Sequence, residues 1–207
     1  MFMPGSLDEL WPVLGDHPGS RLFCGGTDLL VWLRGQRGGP AALVGLERID
    51  ALQGVSTTDE GVRIGAATTH AALLDVTLVN RHFPILIQAL KTLGSPHIRC
   101  AGTLGGNIVT ASPAGDTLPP LYVLGAKVEL CSEGMTRTLP LEDFIRGPGL
   151  TTLAPGEILS AVTIPEPRGL TLQHFQKVGL RDAMACAVAS LAALMAVSEQ
   201  GIIERVR

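Results

Sequence analysis

Aromatic residues are scarce in this chain. Five Phe, two Trp and one Tyr make up 4 % of its 207 residues, too few for the stacking platforms that hold single-stranded nucleic acids. Clustered positive charge is missing as well. The formal net charge is −3, and no Lys/Arg run offers the electrostatic footprint of a nucleic-acid partner. No apolar run reaches the roughly 18 residues of a membrane span; the longest candidate, Ala183 to Val197, is shorter and contains Ser190. The N-terminal MFMPGSLDELW lacks a basic segment and carries acids early, so it does not read as a secretory signal, which favours a cytoplasmic location. Cys24, Cys100, Cys131 and Cys186 are widely separated and form no CxxC. That pattern argues against zinc or an iron–sulfur cluster held by this chain and reads as free thiols in a reducing compartment. No Ser/His/Asp or Cys/His constellation and no spaced pair of carboxylates stands out, so no catalytic residue is assigned.

Glycine, by contrast, is abundant and concentrated. Ala101 to Pro120, AGTLGGNIVTASPAGDTLPP, places Gly102, Gly105 and Gly106 among Thr103, Asn107, Ser112 and Asp116 without the apolar period of a packing segment. Glycines there let the main chain approach a ligand closely, and the polar side chains offer hydroxyl, amide and carboxylate groups to something extended and polar. The bland alternative is a glycine-rich surface loop. A second glycine turn, Gly25-Gly26-Thr27-Asp28, follows the apolar Arg21-Leu22-Phe23-Cys24 and precedes Leu29 to Leu33. A strand, a Gly-Gly turn and a helix start aim free backbone N–H groups at a phosphate. Neither turn fits GxxxxGK[ST] or GxGxxG, so a P-loop or a dinucleotide fingerprint is not expected.

The hydrophobic pattern predicts an α+β chain. Ser6 and Glu9 form a capping box that opens a helix to about Gly15. Strand 20–24, helix 27–34 and strand 41–46 make a small βαβ unit, and 55–67 reads as a hairpin around Asp59-Glu60-Gly61. Helices at 69–76 and 81–92 precede the glycine segment, and a short helix spans 118–125. A hairpin over 127–139, a helical turn at 141–145 and a strand at 158–164 follow; Pro165 and Pro167 mark a boundary. Strand 171–178, the apolar stretch 184–197 and strand 202–206 complete the chain.

Several of these segments, GGTDLL at 25–30, IGAATTHAALL at 64–74, TLGGNIVTASPAGDTLPPLYVLGA at 103–126, EILSAVTIP at 157–165 and FQKVGLRDAMACAVAS at 175–190, resemble the FAD-binding medium subunit of the molybdenum hydroxylases. That group contains xanthine dehydrogenase, aldehyde oxidase and carbon monoxide dehydrogenase. The resemblance implies a two-lobed FAD-binding fold, with lobe 1 at 1–54, lobe 2 at 55–165 and the start of a C-terminal flavoprotein domain at 166–207. It also implies how each residue meets the cofactor. Arg21, Leu22, Phe23, Cys24, Gly25, Gly26, Thr27, Asp28 and Leu29 surround the pyrophosphate, with the amides of Gly25, Gly26 and Thr27 donating and Asp28 capping its helix. Ala101, Gly102, Thr103, Gly106 and Asn107 approach the adenine-to-ribityl stretch, and Val109 packs on the flavin side. Asp116 accepts from ligand hydroxyls. Leu159 lies near the adenine end, Lys177 near the isoalloxazine edge and Ile64 over the ring; the alternatives are ordinary core for Leu159 and Ile64 and a solvated lysine for Lys177.

The resemblance further implies an electron-transfer role. Electrons arrive from [2Fe–2S] clusters on a small subunit, fed by a molybdenum-pterin site on a large subunit, and leave for NAD⁺ or another acceptor. Relatives usually continue beyond the point where this sequence stops, which raises two alternatives: a truncated, non-catalytic relic or assembly component with weak or no FAD binding, and an unrelated nucleotide-phosphate module. Self-association through the C-terminal strands is a further expectation, because an open sheet edge tends to find a pairing partner.

Overall fold

The computed structural model describes residues 1–35, 39–181 and 183–207; Asp182, inside the 175–190 segment, lies outside the described residues. Helix α1 (Leu7–Asp16) begins where the sequence signals it. The Ser6 Oγ accepts from the Glu9 N–H at 3.2 Å, and the Glu9 carboxylate accepts from the Gly5 N–H at 2.8 Å, satisfying helix-start donors that would otherwise be orphaned. Strand β1 (Arg21–Phe23), helix α2 (Leu29–Arg34) and strand β2 (Leu43–Gly45) form the expected βαβ unit, with β1 and β2 parallel. Leu10, Val44, Leu46, Ile49 and Leu52 make a small core for this part together with Ala67, Cys131 and Ile158.

Strands β3 (Val55–Thr58) and β4 (Gly61–Gly65) pair as a hairpin. Its last turn residue must be Gly61, at φ 139°, because a Cβ there would overlap the Ile164 carbonyl oxygen. Helices α3 (His70–Asp75), α4 (Thr77–His82) and α5 (Pro84–Thr92) follow. The predicted helix at 81–92 is thus divided at Phe83. Pro84 can open a helix but cannot supply the N–H that would continue one.

The glycine-rich segment is not a loop. Helix α6 (Pro96–Ala101) leads into α7 (Leu104–Thr110), which is capped by the Thr103 hydroxyl accepting from the Gly106 N–H at 3.1 Å. A short, glycine-bearing helix shows no apolar period, so the pattern read from the sequence hid it. Helix α8 (Leu118–Leu124) ends on Gly125.

Strands β5 (Lys127–Ser132) and β6 (Met135–Pro140) form the second hairpin. After helix α9 (Leu141–Phe144) and the small hairpin of β7 (Ile145–Gly147) and β8 (Leu150–Thr151), strand β9 (Ile158–Ile164) inserts between β4 and β5. The result is a five-stranded antiparallel sheet of order β3-β4-β9-β5-β6. The side chains of β9 are buried almost throughout. One polar group is accommodated on this sheet: Glu129 accepts from Arg63 at 2.8 Å and from the Ser160 hydroxyl at 2.7 Å. Phe83 and Phe144 are fully buried in the main core, each contributing about 2–3 kcal/mol by area removed from water.

Strands β10 (Leu172–Gly179), β11 (Ala187–Val197) and β12 (Ile203–Val206) form a separate antiparallel sheet. Glutamine side chains tie it to the helices: Gln88 accepts from the Phe175 N–H at 2.8 Å, and Gln173 donates to the His82 carbonyl at 2.9 Å. Leu170, Phe175 and Leu194 join the same buried cluster as the five-stranded sheet. Among the described residues no helix is long and apolar enough to cross a membrane.

Candidate functional site

Two turns of the chain meet backbone to backbone. After β1 the chain passes through Cys24 to Asp28, with Gly26 at φ 69°. A Cβ on Gly25 would overlap the carbonyl of Ala101, the last residue of α6. Close approach of a ligand is the reason the sequence suggests for this glycine; the neighbour found there is another stretch of main chain. Gly105 is likewise spent on packing, since a Cβ would lie 2.5 Å from that of Ala66. Gly102 and Gly106 face the space between the turns.

That space is a cleft of about 650 Å³. Arg21 to Leu29 form one wall without interruption, and Gly102, Thr103, Gly106, Asn107 and Val109 form the other. The N–H groups of Gly25, Gly26 and Thr27 donate to no backbone carbonyl among the described residues. The guanidinium of Arg21 lies 4.4 Å from the centre of the Trp32 ring, a cation–π contact that holds a positive charge at the rim. Asn107 is oriented by the Thr117 hydroxyl, which donates to its Oδ1 at 2.6 Å.

Asp28 departs from expectation. It does not cap α2: its backbone is helical and its carboxylate makes no capping bond. Instead Oδ2 accepts from the Thr110 hydroxyl at 2.8 Å, linking the start of α2 to the end of α7. The helix begins late enough that Asp28 is already in helical conformation, which turns its side chain away from the first N–H groups.

Two titratable groups on the wall are held neutral. Burial pushes the Cys24 thiol up to about 11, against the lowering effect of the Thr103 hydroxyl and with a further rise from Glu47. Burial also pulls His70 down to about 4, helped by the positive charge of Arg99, whose guanidinium is fixed by the Leu93 and Gly94 carbonyls.

Ile64, Ala101, Asp116, Leu159 and Lys177 stand outside the cleft wall. Ile64 and Leu159 occupy the central strands β4 and β9 and are buried in the main core; Ala101 backs onto Gly25. Asp116 and Lys177 form a buried ion pair at 2.6 Å, with side chains 7 % and 8 % exposed. Burial raises the Asp116 carboxyl and the Lys177 ammonium works against that rise; the second oxygen, Oδ1, has no partner among the described residues. Trp32, His70, Leu93, Ile98, Thr110 and Gly149 complete the wall. Trp32 sits one helical turn after Asp28, a relation readable from spacing. Leu93 and Ile98 carried no signal, since both look like ordinary core positions.

The donor set suits a dinucleotide. Among the described residues, a cleft whose Gly25, Gly26 and Thr27 N–H groups donate to no backbone carbonyl, with a rim guanidinium and the Asp28 carboxylate already engaged by a hydroxyl, fits a pyrophosphate, and its volume is in the usual range of about 300–1,000 Å³ for cofactor sites. Fold and cleft together define a nucleotide-cofactor domain, and the family match makes it a flavoprotein one. The chain belongs to the family of the FAD binding domain in molybdopterin dehydrogenase, whose pattern matches residues 1–167. It is 33 % identical over 174 residues to the xanthine dehydrogenase FAD-binding subunit of Escherichia coli O157:H7, a match covering 83 % of this chain and 60 % of that protein. The nicotinate dehydrogenase FAD-subunit of Eubacterium barkeri is 29 % identical over 206 residues, covering 97 % of this chain and 70 % of that one. Among solved structures, quinoline 2-oxidoreductase from Pseudomonas putida 86 superposes with a TM-score of 0.92 at 29 % identity, over all of this chain and 71 % of the other.

Proposed function

We propose that this chain is the flavin-holding electron-transfer subunit of a molybdenum hydroxylase, with FAD seated between the 21–29 turn and helix α7. The observation that carries the reading is the convergence of the Gly25-Gly26 turn and the glycine-bearing start of α7 on one cleft, with the Gly25, Gly26 and Thr27 N–H groups free of backbone acceptors among the described residues. These amides and Arg21 would hold the pyrophosphate. Thr103 and Asn107 would meet the adenine-to-ribityl stretch, and Val109 would exclude water on the flavin side. Asp116 and Lys177, fixed by each other at 2.6 Å, lie outside the cleft wall and would meet no part of the cofactor there. When bound, FAD would supply one- and two-electron chemistry; the reading would make this chain the link between iron–sulfur and molybdenum-pterin partner subunits and NAD⁺ or another acceptor.

The first test is the visible spectrum of the purified protein, followed by equilibrium titration of stripped protein with FAD. Stoichiometric, saturable binding supports the reading; no binding at any concentration refutes it. Co-expression with candidate large and small subunits then tests the assembly, and reduction of the bound flavin by NADH tests the acceptor.

A further inference from the structure

Within the cleft wall, His70 is a buried polar group that the proposed contacts leave without a role. It opens α3 behind the Thr69 cap, and it is 2 % exposed. Its Nδ1 has no hydrogen-bond partner among the described residues. The opposite edge of the ring faces the cleft wall: a Cβ on Gly102 would lie 3.1 Å from Cδ2 and 3.4 Å from Nε2. A neutral imidazole carries one N–H and one lone pair. Placing the proton on Nδ1 would bury a donor with no acceptor, and orphaned buried N–H groups are rarer in folded proteins than under-satisfied acceptors. The proton therefore belongs on Nε2, at the edge beside Gly102.

We propose that His70 is a direct FAD-binding residue, offering a neutral Nε2–H beside Gly102 to a phosphate or hydroxyl oxygen of the cofactor. This rests on the FAD reading above. An imidazolium would attract a phosphate more strongly, but the buried ring next to Arg99 cannot hold a second positive charge. A neutral donor supplies direction without that cost, and a cofactor oxygen would give the Nε2–H an acceptor. The short α3 contributes only the position of the ring; the contact belongs to the side chain.

The test is FAD affinity of the stripped full chain, read by flavin fluorescence, for the wild type, His70→Leu and His70→Gln, with the thermal unfolding of each apoprotein measured alongside. A hydrogen bond to a charged group is worth about 1.5–3 kcal/mol, so His70→Leu should weaken FAD binding about 10- to 100-fold. His70→Gln, whose Nε2 can donate from a similar place, should recover most of it. A folded His70→Leu protein with wild-type affinity overturns the proposal and leaves the FAD reading standing; a wild type that binds no FAD overturns both. Should the leucine variant not fold, ¹⁵N-histidine NMR of the wild type decides. The expected result is a His70 ring protonated on Nε2 whose Nε2 resonance moves on adding FAD. A ring protonated on Nδ1, or one indifferent to FAD, overturns the proposal.

Discussion

Lowering the pH from about 7.5 to about 5 should destabilise the apoprotein through His70 in particular. In the unfolded chain the imidazole titrates at its ordinary 6.5, whereas burial and Arg99 hold it down to about 4 in the fold. The unfolded state thus binds the proton first. Stability from this residue is fully present above 6.5, falls as the pH drops below it, and is lost by about 4. At about 1.4 kcal/mol per pH unit, the whole effect is about 3 kcal/mol, of which about 2 kcal/mol is gone by pH 5. Glu129 does not confuse this window. Its carboxyl is held low, chiefly by the hydrogen bond from Arg63, so its stabilisation is lost only as the pH falls below its ordinary 4.5. The assay is urea unfolding followed by circular dichroism across that range, for the wild type and His70→Gln. The wild type should lose about 2 kcal/mol more than the variant between pH 7.5 and 5. Equal losses would refute the assignment of a neutral, buried imidazole.

Three other perturbations have defined outcomes. Gly25→Ala pushes a methyl into the Ala101 carbonyl; overpacking of this kind costs about 1–3 kcal/mol, and thermal melting with FAD titration should show a less stable protein that binds flavin at least about tenfold more weakly. Asp116→Ala leaves the Lys177 ammonium buried without its counter-ion, a loss of about 3–5 kcal/mol in chemical denaturation, most of which the pair Asp116→Leu with Lys177→Met should recover. Asp28→Ala removes the bond from Thr110 and should cost only about 1 kcal/mol of stability, while hydrogen exchange in the 24–34 segment speeds up.

The βαβ unit, the first hairpin and the order of most helices were legible because each rests on a local signal: the Ser6 and Glu9 cap, the Asp59-Glu60-Gly61 turn, the apolar run of β9. The cleft walls at 21–29 and 102–109 were legible as glycine turns with polar neighbours. What stayed hidden depends on long-range contact. Helix α7 has a local Thr103 cap but no apolar period, and the packing of its Gly105 on Ala66 is not something a window on the sequence reveals. Asp28 has a capping residue's identity but finds Thr110, 82 residues away. His70 sits in a readable motif, yet its burial and its unpaired nitrogen come from α6 and Gly102 closing over it. Ile64 and Leu159 show the same limit in reverse, since an apolar strand residue looks alike whether it faces a ligand or a core.

The way Gly25 meets Ala101, and Gly61 meets Ile164, has a genetic consequence. In both cases the atom that excludes a Cβ is a carbonyl oxygen of the opposing main chain. Every amino acid at 101 or 164 brings that same oxygen, so no exchange of side chain on the far side can make room for a substituted glycine. A lesion at either position should therefore resist second-site suppression in the opposing segment, and a screen for revertants should return glycine itself or changes that shift whole stretches of backbone. Under drift these two junctions can only be kept or lost.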